Sequence, residues 1–147
     1  MNLEFTNQII QNKYPYIYYA HSIAFYGTNQ EKKDIEFLQN IMQVVNPKEI
    51  NAKDISDFIK LVLNANQVWY RGYTAGVCLE VIVSLLKNIP VYSIETKLPI
   101  SVKGKIKIIE VYRKTNQIDH DRYMLSTIKD EAFANSFLNF IIKGDTL

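Results

Sequence analysis

A single glutamate interrupts the most apolar stretch of the chain. In the segment Gly76 to Leu86, GVCLEVIVSLL, Glu80 is the only charged residue, and Ser84 is the only other residue with a strongly polar side chain. Burying an unpaired carboxylate costs several kcal/mol. A glutamate in such a helix must therefore reach a polar cavity, stay protonated, or pair with a buried Arg or Tyr.

Helical spacing places the polar positions of this segment on one line. Gly76, Glu80 and Ser84 recur every four residues, and Glu80 points back over the gap left by the missing side chain of Gly76. In an open parallel sheet, ligands bind in the crevice at the carboxyl ends of the strands. The loops after Ala20 and Tyr70 open onto that crevice, so the sequence predicts a ligand site between these loops and the helix start.

Short β-prone runs alternate with amphipathic helices over the first two thirds of the chain. Strands are predicted at 16–20, 43–45, 67–70 and 90–94. The three helices between them begin at the capping residue Thr28, at the capping residue Asp54 and at Thr74, and Thr28 forms a capping box with Glu31. Strands separated by single helices must run parallel with right-handed crossovers. The predicted fold class is α/β, with a flavodoxin-like (Rossmann-like) parallel sheet covered by helices.

The alternation of strands and helices ends in the last third of the chain. Only about ten residues separate the fourth predicted strand from 105–112, KIKIIEVY, which is too few for a crossover helix, so we predict an irregular extra strand there. Lys103, Lys105 and Lys107 alternate, which favours protection of an exposed sheet edge over a nucleic-acid stripe. Residues 132–142 predict a C-terminal helix that packs on the sheet or on a partner.

Length, charge and cysteine content exclude several classes of protein. The 147 residues suffice for one core, so we predict a single domain spanning 1–147. A net charge of +2 is too small to favour nucleic acid as a partner. The one cysteine, Cys78, excludes an intramolecular disulfide, and we found neither a signal peptide nor a long apolar run. These features predict a soluble, cytoplasmic protein that does not contact membranes.

Three short motifs resemble those of a known enzyme family. TAGVCLE at 74–80, followed by an apolar helix and NIPV at 88–91, is similar to the signature of the nucleoside 2-deoxyribosyltransferase superfamily. The closest resemblance is to its 2-deoxynucleoside 5-monophosphate N-hydrolase branch. YYAHSI at 18–23 resembles the first strand of that branch and its following Gly-Ser-Ile loop, and VNP at 45–47 fits the same order. The resemblance covers roughly residues 14 to 95.

The resemblance implies a reaction at Glu80. This residue would be the nucleophile that attacks the anomeric carbon of a deoxyribose, displacing the base and forming a glycosyl-enzyme ester. Tyr18, on the first strand, would orient the carboxylate. The implied ligand is a small-molecule nucleotide or nucleoside, and no cofactor is needed. The alternative is a non-catalytic protein that senses or sequesters a nucleotide in the same crevice.

The resemblance also implies which residues bind substrate. Thr74 and Ser22 would hold phosphate or sugar oxygens, helped by backbone amides at the helix start beside Gly76. His21 replaces a glycine of the family, and Ala24 stands where the hydrolase branch carries an arginine. Arg71, after the third strand, is the candidate to supply the missing cation.

A few other residues with reactive or aromatic side chains are expected to have structural roles. His120 lies between Asp119 and Asp121, but three adjacent residues converge poorly on one ion, so no metal site is predicted. Cys78 and Trp69 are predicted to be core residues.

The helix after Thr74 is also predicted to mediate assembly. It is apolar on nearly every side, although a helix that covers a sheet needs only one apolar stripe. We therefore predict a homodimer or higher homo-oligomer whose interface includes Val77, Val81 or Leu85. Subunits of the resembled superfamily commonly complete each other's pocket, so a residue of one chain would lie near the other's Glu80.

Overall fold

The structure, a computed structural model, describes residues 14–50 and 54–143, so the ends of the predicted domain lie outside the described residues. Its strands are β1 (Tyr16–His21), β2 (Gln43–Val45), β3 (Gln67–Arg71), β4 (Val91–Ser93) and β5 (Leu98–Pro99). Its α-helices are α1 (Asn29–Gln39), α2 (Ile55–Leu63), α3 (Ala75–Leu86), α4 (Val102–Arg113), α5 (Ile118–Ile128) and α6 (Glu131–Lys143). Short 3₁₀ turns occupy Ile23–Phe25 and Pro47–Glu49.

The strands form one sheet in the order β2-β1-β3-β4-β5. The first four strands are parallel, and β5 pairs antiparallel with β4. The chain places β2 on one side of β1 and β3 on the other. The gap between β1 and β3 is therefore the switch point where ligands bind in flavodoxin-like sheets. The chain thus has the flavodoxin-like α/β fold predicted from its sequence.

The first three helices begin where the sequence predicts. The side chains of Thr28, Asp54 and Thr74 accept hydrogen bonds from backbone amides of the first turns of α1, α2 and α3. One half of the predicted capping box differs, because the carboxylate of Glu31 does not return to Thr28. It accepts instead from the Gly27 amide at 3.1 Å.

Two apolar clusters lie on opposite faces of the sheet. The larger cluster contains Tyr16, Tyr18 and Ala20 of β1 together with residues of α2 to α6. The smaller cluster contains Ile17 and Tyr19 of β1 together with residues of α1 and neighbouring strands. Since alternate residues of a strand point to opposite faces, α1 is the one helix on the second face within the described residues.

The predicted extra strand at 105–112 is wrong, because this segment forms most of α4. Its buried residues Ile108, Ile109 and Tyr112 follow helical spacing, and Ser101 caps the helix by accepting from the Gly104 amide at 3.0 Å. The lysines therefore lie on a helix and not along a sheet edge. The edge strand beside β4 is instead the short β5.

The chain itself covers the apolar helix α3. Val77 and Val81 are 2% and 0% exposed, and α3 packs against α2, α4 and α6 as well as the sheet. Packing within one chain thus explains why α3 is apolar on nearly every side, and these two valines are not available for a subunit interface. The homodimer stays a prediction, which light scattering tests against the 17.1 kDa mass of one chain.

The C-terminal helix predicted at 132–142 is confirmed as α6, but it packs mainly on the helices α3 and α5 rather than on the sheet. The sequence patterns did not predict α5, which joins α4 to α6. Within residues 14–50 and 54–143, no helix has the length and apolar character needed to cross a membrane.

Candidate active site

A cavity of about 300 Å³ lies at the carboxyl edge of the sheet, beside the switch point. It is formed by the end of β1, the loop that follows it, and the first turns of α2 and α3. The lining residues are Tyr18, His21, Ile23, Tyr26, Pro47, Ile55, Phe58, Thr74, Ala75, Gly76, Val77 and Glu80. The structure thus brings five of the predicted site residues together: Glu80, Tyr18, His21, Thr74 and Gly76.

Glu80 and Tyr18 form a buried hydrogen-bonded pair at this cavity. The Tyr18 hydroxyl donates to Oε2 of Glu80, and the glutamate is 6% exposed. Burial raises the pKa of Glu80 to about 8, which outweighs the opposing effect of the hydrogen bond from Tyr18. Burial and the neighbouring carboxylate raise the pKa of Tyr18 well above its usual value. The carboxyl group is therefore poised to change its charge near neutral pH.

The start of α3 leaves space in front of Glu80. The Thr74 side chain is exposed at the N-cap and accepts from the Val77 amide at 3.4 Å. A Cβ placed on Gly76 would have no heavy atom within 4 Å, so it would project into open space. The absent side chain at Gly76 therefore keeps access to the first turn of α3, one turn before Glu80.

His21 is held in the cavity wall by its neighbours. Its Nδ1 lies 3.0 Å from the Tyr19 carbonyl oxygen, and its Nε2 lies 2.7 Å from Oε2 of Glu31. The ring also stacks on Tyr19, with centroids 3.9 Å apart. Burial favours the neutral form of Glu31, but hydrogen bonds from His21 and Gly27 bring its pKa below the usual value. Both ring nitrogens are thus engaged by the protein, and His21 presents its ring to the cavity.

Two predicted substrate-binding residues are not among those that line the cavity. The Arg71 guanidinium binds Asp34 through both Nε, at 2.6 Å, and Nη2, at 3.0 Å. Asp34 also accepts from the Tyr19 hydroxyl, so Arg71 belongs to a network on the α1 face of the sheet. Ser22 is buried beneath the loop after β3, where its hydroxyl lies against Gly72.

Residues that the sequence patterns did not single out complete the cavity. Ile55 and Phe58, on the first turn of α2, and the largely exposed Ile23 give it an apolar wall. Tyr26 adds a second phenol hydroxyl, and burial and the charge of Glu80 raise its pKa. The sequence could have predicted them from their positions after β1 and β2, since parallel strands bring the segments that follow them to one edge of the sheet.

The remaining candidates have structural surroundings. Cys78 is fully buried, and burial raises the pKa of its thiol to about 12, so it is a core thiol as predicted. Trp69 is also a core residue, since it is buried and stacks on Tyr92 with ring centroids 4.6 Å apart. Asp121 accepts from the Tyr112 hydroxyl at 2.5 Å and lies 3.0 Å from His120 Nδ1. Among the described residues, no group of three or more His, Cys, Asp or Glu side chains is arranged to hold a metal ion.

Comparisons of the chain with protein-family models, with curated proteins and with solved structures found no match. The chemistry of the cavity is therefore inferred from its own residues.

Proposed function

We propose that the protein cleaves the N-glycosidic bond of a deoxynucleoside or deoxynucleotide, with Glu80 as the nucleophile. The observation that carries this proposal is the carboxyl group of Glu80 in the wall of an open cavity, bonded to the Tyr18 hydroxyl. A protein does not retain a buried carboxyl group inside an apolar helix for stability, because an apolar side chain of similar size costs less.

The proposed reaction has two steps. A carboxylate oxygen of Glu80 attacks the anomeric carbon as the bond from that carbon to the base nitrogen breaks, and the base leaves with the electron pair of that bond. A proton from solvent or from a cavity group neutralises the departing base. Water, or the nitrogen of a second base, then attacks the same carbon of the glycosyl ester and releases Glu80 as a carboxylate.

Tyr18 is proposed to be a positioning residue for this nucleophile. Its hydroxyl donates to Oε2, which fixes the orientation of the carboxyl group and leaves Oε1 for the substrate. No other hydrogen bond to the Glu80 side chain comes from the described residues. A single donor is enough to hold the carboxylate in place but does not neutralise it, so the oxygen that attacks keeps its nucleophilic character.

The charge of the cavity favours a nucleoside over a nucleotide. Among the described residues that line it, none is a lysine or an arginine, and Arg71 is bound to Asp34. A phosphate group would therefore lie near Glu80 without a compensating cation. The walls formed by Ile55 and Phe58 suit the flat, weakly polar face of a base.

Release of the free base tests the proposal. We would incubate the purified protein with each common deoxynucleoside and its monophosphate at pH 8.5 and separate the products by chromatography. Base release is expected with the wild type, loss of release by at least about a thousandfold with Glu80→Gln, and unchanged release with Glu110→Gln, which alters an exposed glutamate of α4. Tyr18→Phe is expected to lower kcat more than it raises KM.

Two outcomes would overturn the glycosidase proposal. Absence of base release from every substrate would do so, and nucleoside binding without release would favour the non-catalytic binding protein instead. Full activity of Glu80→Gln would show that another residue is the nucleophile. Intact mass measurement after acid quenching adds a direct test, because the wild type should carry one deoxyribosyl group that Glu80→Gln lacks.

A further inference from the structure

A second cavity lies on the other side of the loop that follows β3. It also has a volume of about 300 Å³, and it is bounded by the carboxyl ends of β3 and β4, by β5, and by the first turns of α4. Tyr73 of the loop lines this cavity, whereas the next residue, Thr74, lines the Glu80 cavity. The two cavities therefore share the carboxyl edge of the sheet but are separate spaces. Ligands of open α/β sheets bind at this edge.

Two lysines of α4 face this second cavity. Lys103 and Lys107 line it, but Lys105, between them in sequence, does not. Like charges four residues apart on one helix face repel each other and destabilise the helix by a few tenths of a kcal/mol. Neither lysine forms an ion pair with a residue in 14–50 or 54–143, although Lys107 Nζ lies 4.1 Å from the ring centre of Tyr73. The pair thus concentrates positive charge that the described protein groups do not compensate.

Side chains with hydroxyl groups share the lining of this cavity with the two lysines. Ser93 and Thr96 follow β4, Ser101 precedes α4, and Tyr70 lies at the end of β3. The one carboxylate among the described lining residues is Glu95, whose Oε1 lies 3.8 Å from Nη1 of Arg71. The cavity therefore offers two cations and several hydrogen-bond donors against one carboxylate that already faces an arginine. This combination suits a phosphate group.

The close packing of α4 on β3 helps to shape this cavity. A Cβ on Gly104 would lie 3.0 Å from Ile100, 3.3 Å from Ser101 Oγ and 3.4 Å from the Tyr70 hydroxyl. A side chain at this position would press on Ile100 and Ser101, so glycine lets the first turn of α4 approach Tyr70 without displacing them. The glycine also leaves its backbone accessible from the cavity, since Gly104 is one of the lining residues.

We propose that this second cavity binds the phosphate monoester of a small organic molecule, with Lys103 and Lys107 holding the phosphate. Leu98 and Pro99 of β5 supply an apolar wall for the organic group. A small ligand is favoured over nucleic acid because the lysines line a concave space, and because the chain's net charge of +2 adds little long-range attraction for a polyanion. The site is distinct from the Glu80 cavity and does not depend on the glycosidase proposal.

Amide chemical shifts of the ¹⁵N-labelled protein test the site, with glycerol 3-phosphate as the probe and glycerol as its uncharged control. We expect saturable shifts at the amides of 93–96 and 101–104 with the phosphate ester and none with glycerol. Lys103→Gln and Lys107→Gln should each weaken the affinity about tenfold, because each removes one charge-assisted contact. Lys105→Gln is the matched control on the same helix and should change the affinity less than about twofold.

Four results would overturn the site. The first is a lack of saturation by the wild type at tens of millimolar ester, and the second is an equal loss of affinity with Lys105→Gln, which would indicate nonspecific attraction. The third is tighter binding of a single-stranded oligonucleotide at the same amides, which would replace the small ligand by nucleic acid. The fourth is a set of shifts confined to the amides around Gly76, which would place the ester in the Glu80 cavity instead. None of these readouts requires base release, so failure here is distinguishable from failure of the glycosidase proposal.

Discussion

Replacing Glu80 by glutamine should stabilise the protein, and the gain should grow with pH. The folded protein holds Glu80 at a pKa of about 8, whereas the unfolded chain has the ordinary value of 4.5. Between these values the unfolded state has lost the proton that the folded state keeps. The free energy of unfolding of the wild type therefore falls as pH rises through this window and levels off above about pH 8.

The size of the effect follows from the same two values. At about 1.4 kcal/mol per pH unit, the full difference corresponds to about 5 kcal/mol, of which about 4 kcal/mol is lost between pH 5 and pH 9. Glutamine has no proton to lose, and its carbonyl still accepts from the Tyr18 hydroxyl. Glu80→Gln should therefore match the wild type near pH 4.5 and exceed its stability by several kcal/mol at pH 9.

Urea unfolding followed by tryptophan fluorescence measures this difference. Trp69 is the only tryptophan of the chain and is buried in the smaller apolar cluster, so its emission reports global unfolding. Other titrating groups, such as Glu31, are common to both proteins and cancel in the comparison. Glu110→Gln, at an exposed glutamate of α4, is the matched control variant. A difference that stays flat from pH 5 to pH 9, or a less stable Glu80→Gln at pH 9, would show that folding does not raise the pKa of Glu80.

Three further expectations can be measured separately. The kcat/KM for base release should rise about tenfold from pH 7 to pH 9, since the nucleophile must lose its proton, and a fall over this range would assign Glu80 the role of a general acid. Gly72→Ala should destabilise the protein by at least about 1 kcal/mol in urea unfolding, because Gly72 has φ +91° and a Cβ there would overlap the Ser22 hydroxyl. Asp34→Asn should cost about 3 kcal/mol, because it leaves Arg71 with a weaker partner on the sheet, and a loss below about 1 kcal/mol would show that the pair contributes little.

The sequence was informative where local patterns and tertiary packing agree. The caps at Thr28 and Asp54 and the short strands before residue 95 each have strong local signals, so the predicted order of elements is correct up to that residue. The segment 105–112 fits both the alternating pattern of a strand and the spacing of a helix. Its lysines and isoleucines alternate, while Ile108, Ile109 and Tyr112 follow helical spacing. Packing against α3 decides between the two, and that packing is not visible in the segment itself.

The sequence predicted the residues around Glu80 but not all of those that surround them. Glu80 stood out because its charge conflicts with its neighbours, and Tyr18 and Gly76 follow from resemblance and helical spacing. Arg71 was expected at the cavity because a local pattern does not reveal that Asp34, 37 residues away, binds it. Tyr26 was missed for the same reason, since only the folded loop brings its hydroxyl to the cavity.

The uneven distribution of helices over the two sheet faces has a kinetic consequence. Within the described residues, α1 alone covers the smaller cluster, and through Glu31 it binds both His21 and Gly27, at either end of the loop beside the Glu80 cavity. Undocking of α1 would break these contacts while the larger cluster on the opposite face stayed intact. The amides of α1 and of this loop should therefore exchange with solvent deuterium as one cooperative unit, ahead of α3. The rate at which the cavity wall opens therefore depends on α1, although α1 contributes none of the residues that line the cavity.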